Sequence, residues 1–114
     1  MSLELEKSMR IVNDLVSFCY YEGAEDFTIR LQHHPDHSMH MQLCVPLPNL
    51  DTDILDKIRT VLSHPRQHEV EESFWELSGE TEFSSELSLA GAMTDTAEVR
   101  YENDVLRFDL FRSK

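Results

Sequence analysis

The chain has 114 residues, 40% of them hydrophobic, with 22 acidic side chains against 10 basic ones and a formal net charge of −12. That length predicts a single domain over residues 1–114 with one core that needs no disulfide or metal staple. The charge repels phosphate backbones and anionic lipid heads, which argues against nucleic acid and membrane surfaces and leaves a protein partner or a second copy as the expected contact. No apolar run is long enough to span a bilayer and the start does not resemble a signal peptide, so a cytoplasmic location is expected. Cys19 and Cys44 lie far apart in no CxxC pattern. Each sits among apolar neighbours, and both are expected to be reduced and packed in the core, with no basic neighbour to lower a thiol pKa.

Residues 4–22 read as an amphipathic helix. Met9, Val12, Val16, Cys19 and Tyr20 recur at three- and four-residue steps, with Ile11, Leu15 and Phe18 widening the stripe and Gly23 as the stop. Phe27, Ile29 and Leu31 then alternate with polar residues, as do Met39, Met41, Leu43 and Val45 after a polar turn around Pro35-Asp36, which predicts a β-hairpin. Asn49 or Asp51 can cap a helix running to about Leu62, which His64-Pro65-Arg66 breaks. Residues 69–78 suggest a short helix or an irregular segment, followed by an acidic loop. A helix capped by Ser84 or Ser85 covers Leu87 to Met93, and its Ala90-Gly91-Ala92 is small enough to suggest close packing onto a sheet. Ala97, Val99 and Tyr101, a turn at Asn103-Asp104, then Leu106, Phe108 and Leu110 form a second hairpin, with Arg107, Asp109 and Arg112 taken as its outward set. The expected fold class is α+β: a two-layer sandwich whose largely antiparallel sheet comes from two hairpins, with helices packed on one face.

From about residue 8 to residue 112 this order resembles the ATP-binding fold of sensor histidine kinases and anti-sigma-factor kinases, the GHKL superfamily. Asp14-Leu15-Val16 leading to Glu22-Gly23-Ala24 and Phe27 to Leu31 is similar to the family's first helix and following strand. Met41 to Val45 resembles the strand that delivers the adenine-binding aspartate, and Ser85 to Ala90 with the final hairpin resembles the closing elements. The resemblance implies a bacterial regulatory protein, and it places the chemical positions where this chain departs from the pattern. Phe18 stands near the magnesium-holding asparagine, Pro46-Leu47-Pro48 replaces the adenine-reading Asp-x-Gly, and Glu82 to Glu86 replaces the glycine-rich lid. Asp14 stands at the acidic catalytic position, where a lone carboxylate on a helix reads as a solvated surface group. Carboxylates gathered where a polyphosphate would lie repel it when no cation is present. The expectation is therefore a non-catalytic regulatory or interaction module, not an enzyme and without a cofactor. A residual ATP- and magnesium-binding domain with Asp14 as catalytic acid is the first alternative.

His33, His34, His37 and His40 crowd one hairpin turn beside Asp36, and short imidazole spacings can hold zinc or nickel, which makes a metal-responsive protein the second alternative. An exposed turn rarely fixes a closed tetrahedron by itself, so no metal site is assigned. Glu69, Glu71, Glu72, Glu76, Glu80 and Glu82 read as a solvated acidic face. Phe74 and Trp75 are the candidates for contact with a partner, because aromatic side chains dominate interface hot spots, with burial as the competing reading.

Overall fold

A computed structural model describes residues 3–63, 65–74 and 86–113. The chain runs α1 (Leu3–Tyr21), β1 (Thr28–His33), β2 (Met39–Pro46), α2 (Thr52–Leu62), α3 (His68–Phe74), α4 (Glu86–Ala92), β3 (Thr96–Glu102) and β4 (Val105–Arg112). All strand pairs are antiparallel and the sheet order is β1-β2-β4-β3. The two hairpins thus meet through their second strands, with Leu43 opposite Phe108 and Met41 opposite Leu110. This is the expected α+β architecture, one antiparallel sheet with its helices on one face.

Local chemistry sets the element ends. At the close of α1, Ala24 N–H donates to the Cys19 carbonyl at 3.0 Å and Gly23 N–H to the Tyr20 carbonyl at 3.0 Å. This pair of bonds is a Schellman cap, and Gly23 takes the left-handed φ of 106° that the cap requires. In the first hairpin Asp36 accepts the Ser38 N–H at 2.9 Å, which ties the turn before β2. Asp51 caps α2 by accepting the Asp53 N–H at 2.9 Å. Asn103 and Asp104 hold φ of 52° and 62°, the two positive values that a tight hairpin between β3 and β4 demands.

The inner face of the sheet presents Met39, Met41, Leu43, Val45, Leu106, Phe108 and Leu110, all buried in one cluster with Ile11, Leu15, Cys19, Ile58, Leu62, Leu87, Ala90 and Met93 from the helices. Three sequence expectations change here. On α1 the buried line runs through Ser8, Ile11, Leu15 and Cys19, while Met9 and Tyr20 are 47% and 64% exposed. A helix apolar over a wide arc leaves its centre ambiguous, and polar Lys7, Ser8 and Asp14, all buried, hid the inward side. Arg112 lies on the inner face with Leu110, because two residues along a strand return to the same side, and Phe111 points outward instead. The small face of α4 packs on a helix rather than on the sheet. A Cβ at Gly91 would stand 2.8 Å from the Val61 carbonyl oxygen, so glycine lets α4 approach the backbone of α2.

Candidate functional site

Of the positions that the resemblance would assign to nucleotide, Phe18 and Leu47 are taken up by packing. Phe18 is half-buried and packs against the apolar cluster. Leu47 is buried, and its backbone is held on both sides: its N–H donates to the Asp104 carbonyl at 2.8 Å, and its carbonyl accepts the Tyr101 hydroxyl at 2.6 Å. Tyr101 in turn accepts the Leu50 N–H at 3.3 Å, so one side chain of β3 ties down the loop between β2 and α2. Asp14 is not the solvated group expected from its place on a helix. It is 4% exposed, and Arg10 Nε donates to its carboxylate at 3.0 Å one turn away. Trp75 and the segment 75–85 lie outside the described residues. Phe74 ends α3, and its side chain also lies outside them.

A second polar centre was almost hidden in the sequence. Glu71, expected on a solvated face, is buried at 1% exposure and gathers three cations, Arg66 from five residues before it and Lys7 and Arg112 from distant parts of the chain. Lys7 Nζ of α1 donates to Glu71 at 2.9 Å and to Glu72 at 2.8 Å. Arg112 of β4 grips Glu71 with both terminal nitrogens at 2.8 and 2.7 Å, and also reaches Glu4 at 3.1 Å and the Met93 carbonyl at 2.8 Å. Arg66 adds bonds of 3.0 and 3.3 Å to Glu71 and one of 2.6 Å to the Ser113 carbonyl. Burial pushes the Glu71 pKa up, but the hydrogen bonds from Arg112, Lys7 and Arg66 outweigh it and bring it down to about 2. All five Arg112 donors are bonded to Glu71, Glu4 or the Met93 carbonyl. The centre ties α1, α3 and β4 together. The inward parity of Arg112 was the one sequence signal for it.

The histidine turn does not gather its imidazoles. His33 pairs with Met39 and His40 with Gln32 across the hairpin, so register puts His33 and His40 on opposite faces of the sheet. His40 hydrogen-bonds Asp109 of β4, and His34 and His37 are exposed at the turn. Among the described residues no three His, Cys, Asp or Glu side chains come together as a metal site.

The outer face of the sheet carries the remaining chemistry. Register sorts its side chains into four rows across the strands. Glu102, Val105 and Pro46 form the first, and Arg100, Arg107, Cys44 and Thr28 the second. The third holds Glu98, Asp109, Gln42 and Arg30, and the fourth Thr96, Phe111, His40 and Gln32. A shallow depression of about 280 Å³ opens at the centre, lined by Gln42, Cys44, Glu98, Arg100, Arg107 and Asp109 with Phe108 at its floor. Arg100 donates to Glu98 along its own strand at 2.7 Å, and Gln42 donates to Asp109 at 3.3 Å. Cations that look scattered in the sequence are therefore collected by the fold, three on this face and three around Glu71.

No known family model matches this chain. No curated protein matches it either.

The two cysteines part company. Cys19 is fully buried, and burial, with the nearby Glu22 carboxylate adding to it, pushes its thiol up to about 12. Cys44 is half-buried on the outer face, where Arg107 approaches its sulfur at 4.0 Å, so it is neither a core residue nor without a basic neighbour. Both thiols are free. Among the described residues, no helix is long and apolar enough to cross a membrane.

Proposed function

We propose that this chain is a non-catalytic, cytoplasmic regulatory module that works through protein contacts, built on a histidine-kinase-like ATPase fold that has lost its nucleotide-binding motifs. The observation that carries the reading is the tether at Leu47. In the loop that would read adenine, Leu47 is buried and its backbone is bonded to Asp104 and Tyr101, and Phe18 is packed where a magnesium ligand would stand. The outer face, charged and without a helix over it among the described residues, gives such a module a surface for a partner.

The test is a thermal-unfolding series with ATP and magnesium, ADP and magnesium, or magnesium alone. A ligand at one hundred times its dissociation constant stabilises by about 2.7 kcal/mol, enough to move a small domain's midpoint by several degrees. The expected result is no shift with any nucleotide. A second reading, residual binding of ATP and magnesium, draws on the burial of Asp14 at the position of the family's catalytic acid. A magnesium-dependent ATP shift that disappears in Asp14→Asn would replace the first reading with the second.

A further inference from the structure

We infer that the outer face of the sheet is a self-complementary docking surface for a second copy of this chain. The inference rests on the reading of the chain as an interaction module and names its partner. Its warrant is how register distributes charge. Arg100 stands directly opposite Arg107, and two residues along the same strands Glu98 stands directly opposite Asp109. Like charges placed directly across a ladder are unfavourable, and an isolated sheet gains more by alternating signs. Across β3 and β4 this face instead separates its charge into a basic pair and an acidic pair about 6.6 Å apart, while Arg30 stands at the far β1 end of the acidic row and would face Thr28 of the second copy.

Two such faces fit each other about a twofold axis that runs across the strands between the two rows. The operation reverses the order of the rows and leaves each strand facing its own copy. Arg107 then faces Asp109 of the second copy, and Arg100 faces Glu98, each contact occurring twice by symmetry. The outer rows match as well: Phe111, 38% exposed, faces Val105, and His40 faces Pro46. Gln42 and Cys44 meet beside the axis, over the central depression. The two sheets stack in the aligned manner common to sheet pairs, about 10 Å apart, a gap that arginine and carboxylate side chains bridge. Four strands of this length present roughly 500 Å² in projection, and side-chain relief brings the accessible area to the low end of stable interfaces. The existing Glu98–Arg100 contact does not compete, because exposed ion pairs exchange at little cost. The complementarity also answers the net charge of −12, since it brings opposite charges together where the rest of the surface repels.

Sedimentation velocity over a concentration series tests this on the intact chain. The expected result is a reversible monomer–dimer equilibrium that weakens as salt is raised. Arg107→Glu places two like-charge contacts in the interface and should raise the dissociation constant by at least about tenfold. Asp109→Arg should do the same, and the swap Arg107→Asp with Asp109→Arg should recover the dimer, because each reversed group again faces its opposite. Circular dichroism and the unfolding midpoint of dilute protein identify any variant that fails to fold, in which case Arg100→Glu and its swap with Glu98→Arg replace it. A chain that stays monomeric, or a dimer indifferent to the reversals, overturns the inference. The proposed function falls on a different result, the magnesium-dependent nucleotide shift.

Discussion

Two regions of this molecule use the same chemistry, arginine against carboxylate, with opposite consequences. Around Glu71 the groups are buried, and each cation is bonded to more than one oxygen. On the outer face Glu98 and Arg100 are 58% and 63% exposed, and their contact runs along a single strand. Charges removed from water must be fully paired, because the desolvation cost is recovered only through good geometry and further hydrogen bonds. Charges left in water are almost free to change partners. The difference teaches which arginines hold the fold and which are available to another molecule.

The sharpest way to break the comparison is to empty the buried side. Glu71→Ala leaves Lys7, Arg66 and Arg112 without their shared counter-charge, and we expect a loss of about 3–5 kcal/mol in urea unfolding. An effect below 1 kcal/mol would mean that the centre is as dispensable as a surface pair. Acid titration asks the same question without mutation. The Glu71 carboxyl has its pKa lowered from 4.5 to about 2 on folding, so its contribution is complete above pH 4.5 and fades as pH falls toward 2. That difference corresponds to roughly 3 kcal/mol. The stability curve of Glu71→Gln should be flatter than wild type over this window, and parallel curves would remove the carboxyl from the account.

How far the sequence disclosed these regions depends on how each element announces itself. The hairpins were legible because strand alternation is strict: Met41 and Leu43, or Leu106 and Phe108, admit only one inward side once paired. The same strictness, followed to the end of β4, put Arg112 inside, against the expectation that arginine faces water. The face of α1 was harder, since its apolar residues cover a wide arc and the buried side includes Lys7 and Asp14. Glu71 was hidden in an acidic run because two of its three partners lie 64 residues back and 41 residues ahead, and the third, Arg66, sits five residues back in the His64-Pro65-Arg66 break. The outer rows follow from the hairpin alternation and the turn at Asn103-Asp104, but their meaning needed the pairing of β2 with β4. Of the candidate contact residues, Trp75 lies outside the described structure and Phe74 only ends a helix. The outer face of the sheet took their place as the candidate surface.

The smallest expected effect is also the most telling. We would follow the urea midpoint of wild type and Arg107→Glu as protein concentration is raised from dilute to concentrated. A folded state stabilised by association gains stability by mass action, so the wild-type midpoint should climb with concentration. Arg107→Glu should equal or slightly exceed wild type when dilute, because it faces Arg100 across the ladder, and stay level when concentrated. A dilute midpoint that falls as in Glu71→Ala, or a climb that survives the charge reversal, would contradict the division between arginines that build the fold and arginines that meet a partner.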